Sequence, residues 1–167
     1  MTEPLKIAVA GLGTVGAGVV KLLAGQAALL EARSGRRLVV TAVSARERKK
    51  KRGIDLAGAA WFDDPVDMAK NADAEAIVEL IGGADGPAKA MTEAALTRGR
   101  HVVTANKALL AHHGTALAAL AEKAGATLGY EAAVAGGIPI IKAVREGLAG
   151  NRIDRIYGIL NGTCNYI

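Results

Sequence analysis

The chain has 167 residues, enough for one domain with a sizeable core, and about half of them are apolar with few aromatics. The formal net charge of +5 lies entirely in the run Arg46-Glu47-Arg48-Lys49-Lys50-Lys51-Arg52, so the remainder is neutral. One local patch without interleaved aromatic residues argues against a nucleic-acid-binding face. The single cysteine, Cys164, excludes an internal disulfide and a cysteine-cluster metal site.

The N-terminal residues lead directly into an apolar segment, which leaves no room for a signal peptide. No apolar run approaches the ~18 residues that a membrane span needs. We therefore expect a soluble, cytoplasmic protein with no membrane or nucleic-acid partner.

Strand-like and helix-like segments alternate along the chain. We predict a buried strand over Leu5–Ala10, a helix from Thr14 to about Arg33 and a second strand over 38–43. Further strands are expected near 61–62 and at 76–81, 101–103, 127–131 and 152–160, and further helices after Asp64-Pro65 and at 86–98, 113–124 and 140–148. This alternation predicts an α/β protein with a Rossmann-type, doubly wound, mainly parallel sheet.

The first strand breaks into the glycine motif Gly11-Leu12-Gly13-Thr14-Val15-Gly16, which opens a helix. This is the context that the dinucleotide-binding fingerprint requires, so all six residues are predicted coenzyme contacts. Gly11 permits the turn, Gly13 lets the backbone approach a pyrophosphate, and Gly16 lets helix and strand pack closely. The helix N-terminus adds free N–H groups and a positive dipole end. The alternative is a glycine-rich structural turn in another α/β protein.

The end of the second strand predicts which coenzyme is preferred. An acid there binds the ribose 2′-hydroxyl of NAD, whereas an arginine accommodates the 2′-phosphate of NADP. Here Ala45 and Arg46 follow the strand, so we predict both as contacts of a preferred NADP(H), helped by the basic residues of 49–52. Glu47 comes next and keeps NAD(H) open, and the alternative is that the run is a solvated turn.

Four motifs in this order resemble the N-terminal part of homoserine dehydrogenase, and the resemblance covers essentially the whole chain. They are the glycine motif, Val103–Ala111, Tyr130–Ile141 and Gly158–Ile167. The resemblance implies NAD(P)H-dependent interconversion of L-aspartate 4-semialdehyde and L-homoserine, on the way to threonine, methionine and isoleucine. It also implies a coenzyme domain over 1–130, the beginning of an α+β substrate and dimerisation domain over 131–167, and a homodimer at full length.

By the same resemblance, Lys107 is a catalytic and coenzyme-contacting residue at the substrate end of the cleft. A lysine there can hold the substrate carboxylate or polarise the carbonyl that receives hydride. Without the surrounding motif, a surface lysine would be an equal alternative. Gly82, Asn161 and Gly162 complete the predicted coenzyme contacts.

The resemblance also implies a site for a monovalent cation such as sodium. Its predicted residues are Glu131, Val134, Gly136 and Ile138. Carboxylate and carbonyl oxygens suit a hard cation, and the alternative is a hydrogen-bonded glutamate without an ion.

The acids and the proton-donating lysine of the family lie further along than this chain extends. We therefore expect a truncated chain that binds coenzyme but is inactive alone. Two other functions stay open, a non-catalytic NAD(P)-sensing module and a related semialdehyde- or dipicolinate-type reductase.

Overall fold

The computed structural model describes residues 2–158, and its centre is one six-stranded sheet. The strands are β1 (Leu5–Ala10), β2 (Leu38–Ser44), β3 (Ala60–Phe62), β4 (Ala76–Glu79), β5 (His101–Thr104) and β6 (Leu128–Gly129). They lie in the order β3-β2-β1-β4-β5-β6, and every neighbouring pair is parallel. The chain thus winds outward from β1 in one direction and from β4 in the other, which confirms the predicted Rossmann-type sheet.

Helices cover both faces of this sheet. They are α1 (Thr14–Gly25), α2 (Ala27–Ser34), α3 (Pro65–Asn71), α4 (Pro87–Thr97), α5 (Lys107–Lys123), α6 (Glu131–Val134) and α7 (Ile140–Lys142), the last continuing into a π-helical turn, Ala143–Gly147. Among residues 2–158, no single helix is long and apolar enough to span a membrane; α1 and α2 pass that test only as a pair bent by 77°.

Alternate side chains of β1 point to opposite faces of the sheet, so this strand contributes to two cores. The core beneath α3, α4 and α5 contains Ala8, Ala10, Met68, Met91 and Leu117. The core beneath α1 contains Ile7, Val9, Val20 and Val43. Burial on both faces explains why β1 is apolar from Ile7 to Ala10 rather than alternating with polar residues.

Two predicted helices have different limits in the structure. The prediction of a single helix from Thr14 to about Arg33 is wrong. Helix α1 ends at Gly25, and Gln26 adopts a non-helical conformation (φ −115°, ψ 20°) before α2 begins. Glycine weakens a helix, and α2 has no buried residue that would keep it in line with α1. The helix expected from about His113 begins at Lys107 instead, because the Asn106 side chain caps it.

The C-terminal segment also departs from the prediction. The strand expected over 127–131 is limited to Leu128–Gly129, because Glu131 already begins α6. The strand expected over 152–160 is wrong for 152–158, which are exposed and pair with no strand in the described part of the chain. A strand without a hydrogen-bonded neighbour is not stable by itself. The substrate domain expected to begin at residue 131 therefore stays a prediction.

Candidate functional site

Three loops meet at the carboxyl edge of the sheet. They follow β1, β4 and β5, and they lie where the winding direction reverses between β1 and β4. In open parallel sheets this reversal leaves a crevice outside the strand ends, which is where ligands bind. The candidate site is built from these loops and from the basic loop that follows β2.

The turn after β1 leaves no space for side chains at two of its glycines. Gly11 has φ +95° and its N–H donates to the Ser44 carbonyl at 2.8 Å; a Cβ on Gly11 would collide with the Leu80 carbonyl. A Cβ on Gly16 would collide with the carbonyl oxygen of Gly11. The first turn of α1 therefore packs directly on the glycine turn, as the motif predicts.

The N-terminus of α1 is open to solvent. A Cβ on Gly13 would have no atom within 4 Å, Val15 is 60% exposed, and no side chain of residues 2–158 caps the helix. The first intrahelical bond runs from the N–H of Ala17 to the carbonyl of Gly13 at 2.9 Å. The N–H groups before it lack helical partners and coincide with the positive end of the helix dipole. The residues present therefore fit the pyrophosphate of a dinucleotide coenzyme.

Arg52 in the loop after β2 reaches back to this glycine turn. Its Nε donates to the Leu12 carbonyl at 3.1 Å, and its two terminal nitrogens donate to the carbonyls of Lys50 at 2.8 Å and Glu47 at 2.6 Å. All three of its hydrogen bonds thus go to backbone oxygens. Arg46, the predicted phosphate contact, is exposed and forms no hydrogen bond or ion pair within residues 2–158.

Trp61 of β3 is contacted by two arginines of the same loop. The guanidinium carbons of Arg48 and Arg52 are 5.8 Å and 5.7 Å from the centroid of its ring. Both are within the range of a cation–π contact. The indole N–H donates to Asp63 at 2.9 Å, which fixes the plane of the ring. The sequence does not predict this pairing, because the loop that joins the basic run to β3 could adopt many conformations.

A buried polar network joins the loops after β4 and β5. Glu79, fully buried, accepts from the N–H groups of Ile81 at 2.8 Å and Gly82 at 3.1 Å through Oε1. Its Oε2 accepts from the Thr104 hydroxyl at 2.5 Å, and the Thr104 oxygen accepts from the Asn106 N–H at 3.0 Å. Both carboxyl oxygens of Glu79 thus accept hydrogen bonds.

Asn106 extends the network to Lys107. Its Oδ1 accepts from the N–H of Leu109 at 3.1 Å and caps α5, and its Nδ2 donates to the Gly83 carbonyl at 2.7 Å. Lys107 is the first residue of α5 and is exposed, with no hydrogen bond or ion pair to any other described residue. The network therefore fixes the base of Lys107 next to the loop that holds Gly82, and leaves its ammonium group available to a ligand.

Glu131, the predicted cation ligand, binds backbone N–H groups in the structure. Its Oε1 accepts from Ile141 at 2.8 Å and its Oε2 from Lys142 at 3.0 Å. The carbonyl of Ile138 accepts from the N–H of Ile140 at 2.8 Å. Within residues 2–158, no group of three or more His, Cys, Asp or Glu side chains is placed to hold a metal. Asn161 and Gly162 lie outside the described residues.

The shifted acid–base groups next to β1 and β4 lie at the opposite edge of the sheet. The hydrogen bond from Lys6 to Asp73, at 2.7 Å, raises the pKa of the lysine. The hydrogen bond from Arg36, at 2.9 Å, lowers the pKa of Glu75, against a smaller opposing effect of desolvation. These pairs join the amino ends of strands to neighbouring loops and belong to the scaffold.

The family model for the NAD-binding domain of homoserine dehydrogenase matches residues 11–131. The chain belongs to the homoserine dehydrogenase family. A second model, homoserine dehydrogenase, matches residues 139–167. The homoserine dehydrogenase of Neisseria gonorrhoeae is 46% identical over 165 residues, which are 99% of this chain and 38% of that protein. The chain thus spans little more than a third of the length of this relative.

Solved structures of the family share the fold. The homoserine dehydrogenase of Thiobacillus denitrificans superposes with a TM-score of 0.78 at 41% identity, over 89% of this chain and 34% of that one. A hyperthermophilic archaeal homoserine dehydrogenase, solved in complex with NADPH, matches with a TM-score of 0.71 at 24% identity, over 89% of this chain and 50% of that one.

Proposed function

We propose that this chain is the coenzyme-binding part of a homoserine dehydrogenase that interconverts L-aspartate 4-semialdehyde and L-homoserine. The observation that carries the proposal is the uncapped N-terminus of α1 at the reversal point of the sheet, with Gly13 open in front of it. The family membership supports the same conclusion. The coenzyme supplies or accepts a hydride at its nicotinamide when bound.

The chain's own residues bind and orient the reactants. The N–H groups of the first turn of α1 donate to the pyrophosphate, because no side chain competes for them. The backbone of Gly82 is held by Glu79 and lines the same crevice. The ammonium of Lys107 holds the substrate carboxylate, or polarises the carbonyl oxygen whose negative charge grows as hydride arrives.

NADP(H) is the preferred coenzyme in this proposal, with NAD(H) as the alternative. The β2 strand ends in Ser44, and the next two residues are Ala45 and Arg46, so no acid occupies the position that binds a ribose 2′-hydroxyl. The archaeal homoserine dehydrogenase of the same fold was solved with NADPH. The positive loop after β2 provides the charge that a 2′-phosphate requires.

The remaining parts of the proposal rest on the family resemblance. In the full-length protein, sodium is bound by Glu131, Val134, Gly136 and Ile138. Each oxygen of Glu131 accepts one backbone N–H and keeps a further lone pair that can bind the ion. The full-length protein is a cytoplasmic homodimer that acts in threonine, methionine and isoleucine synthesis.

The test uses the full-length protein containing this chain, with calorimetry for NADPH binding and absorbance for NADP⁺-dependent homoserine oxidation. A Gly13→Ala change should weaken NADPH binding by about 10–100-fold, the loss of a hydrogen bond or two to a charged phosphate. The matched control is Gly18→Ala, because its Cβ also meets nothing within 4 Å yet lies a turn further along α1. Equal affinities for both variants would refute the pyrophosphate site. Binding without turnover would favour the sensing module.

A further inference from the structure

Arg52 is attached to the glycine turn before any ligand binds. Its guanidinium donates to the Leu12 carbonyl at 3.1 Å and to two carbonyls of its own loop, at 2.6 Å and 2.8 Å. A guanidinium has five N–H groups, so these bonds leave others free to donate to a ligand. The group is therefore oriented at the coenzyme crevice, on the side of β2.

The positive charge of Arg52 is not neutralised by the acids around it. Glu47 lies 3.9 Å from the ammonium of Lys50, Asp55 accepts from the N–H of Ala57 at 2.8 Å, and Asp63 accepts from the Trp61 indole at 2.9 Å. Carbonyl oxygens orient a guanidinium but carry no net charge. A second cation, Arg48, lies against the same Trp61 ring at 5.8 Å. Both arginines thus contact one ring next to the glycine turn. They form a positively charged site that an anionic ligand would neutralise.

We propose that Arg52, assisted by Arg48, is the residue that distinguishes a phosphate ester on the adenosine ribose of the coenzyme from a free hydroxyl. The proposal rests on the proposed function and adds to it a specificity-determining residue other than Arg46. The pyrophosphate belongs to the N-terminus of α1, whereas Arg52 lies on the β2 side of the turn, where the ribose is recognised. A phosphate monoester brings nearly two negative charges to that position.

Preorganisation is the physical reason for ranking Arg52 above Arg46. Arg52 is held by three backbone oxygens and by its position on the Trp61 ring, so little side-chain freedom is lost when a phosphate binds. Arg46 is exposed and forms no hydrogen bond with the described residues, so it must be ordered at the cost of its rotamer entropy. A lysine at position 52 would keep the charge but not the planar fork.

The test measures calorimetric Kd values of the full-length protein for NADPH and NADH. Arg52→Gln should weaken NADPH by about 10–100-fold, as expected for a lost hydrogen bond to a charged group, and NADH by only a few-fold. Arg52→Lys should recover part of the loss. The matched control is Arg37→Gln, which removes the same charge just before the opposite end of β2 and should change neither Kd.

A second measurement keeps the assignment testable if Arg52→Gln fails to fold. The wild type should bind adenosine 2′,5′-bisphosphate at least about tenfold more tightly than adenosine 5′-phosphate, and Arg48→Gln, which leaves the Leu12 contact intact, should reduce that ratio. Trp61 is the only tryptophan of this chain. The fluorescence difference between wild type and Trp61→Phe should therefore respond to the bisphosphate and not to the monophosphate.

The outcomes separate this inference from the proposed function. If the wild type binds neither coenzyme, the proposed function fails and the inference fails with it. If the wild type binds NADPH but Arg52→Gln weakens both coenzymes equally, Arg52 only supports the turn and the inference is overturned. The inference is also overturned if Arg46→Gln abolishes the preference for NADPH over NADH while Arg52→Gln retains that preference.

Discussion

Replacing Thr104 with valine removes one hydroxyl from the middle of the buried network and changes the shape of the side chain very little. The hydroxyl donates to Glu79 Oε2 at 2.5 Å and accepts from the N–H of Asn106 at 3.0 Å. Thr104 is 1% exposed and Glu79 is fully buried, so water cannot replace either bond without opening the structure.

The expected loss of stability is the sum of these two effects. A hydrogen bond to a charged group contributes about 1.5–3 kcal/mol, and a buried N–H left without a partner costs about 1–3 kcal/mol. Thr104→Val should therefore lower the free energy of unfolding by about 2.5–6 kcal/mol, a large part of the total for a domain of this size. Thr104→Ser keeps the hydroxyl and loses one methyl group, so it should cost only about 1 kcal/mol.

The assay is equilibrium urea unfolding of the purified chain, followed by the fluorescence of Trp61. Both variants should shift the midpoint without changing the slope, and the valine variant should shift it several times further. Nearly equal losses for serine and valine would show that the hydroxyl contributes little, and the network would then be a consequence of packing. A Glu79→Gln variant combined with each change completes a double-mutant cycle for the pair.

Two further predictions concern the scaffold. Gly16→Ala should destabilise the chain by about 1–3 kcal/mol, because the new Cβ would collide with the Gly11 carbonyl. The control Gly18→Ala should not destabilise it, because a Cβ there meets no atom within 4 Å. Thermal unfolding distinguishes the two variants, and equal midpoints would contradict the close approach of Gly16 to Gly11. The Arg36 hydrogen bond lowers the pKa of Glu75 from its ordinary value of 4.5, so the pair stabilises the fold above that value and its contribution disappears as the pH falls through the lowered pKa. The difference in Tm between wild type and Glu75→Gln should therefore be present near pH 7 and disappear as the pH falls through the lowered pKa of Glu75; a difference independent of pH would refute the linkage.

Signals that lie within a few residues of each other predicted most of the fold. The apolar run of β1 and the glycine turn are contiguous, and Asp64-Pro65 begins α3 as expected, with the Asp64 carboxylate accepting from the N–H of Val66 at 2.9 Å. The break at Gln26 was missed because the apolar pattern continues through it. The early start of α5 was not predicted, because Asn106, whose side chain caps the helix, also belongs to the motif that contains Lys107.

Only part of the candidate site could be predicted, because only part of it is formed by residues that are close in the sequence. The glycine turn is local, but the Arg52 to Leu12 contact joins residues 40 positions apart and the Thr104 to Glu79 contact joins residues 25 apart. Such contacts depend on how strands are ordered in the sheet. A single sequence shows that a basic run follows β2, and it does not show which arginine returns to the turn. The position directly after β2 therefore favoured Arg46, whereas the folded loop brings Arg52 to the glycine turn.

Cations at the two edges of the sheet differ in their partners. At the amino edge, Lys6 pairs with Asp73 and Arg36 with Glu75, so these two cations are neutralised by acids of the chain. At the carboxyl edge, Arg52 is held by carbonyl oxygens and Lys107 has no ion pair within the described residues. Unneutralised cations beside an uncapped helix N-terminus repel one another and gain from any anion that binds between them. Arg52 and Lys107 therefore lie where a phosphate-bearing coenzyme would supply the missing negative charge.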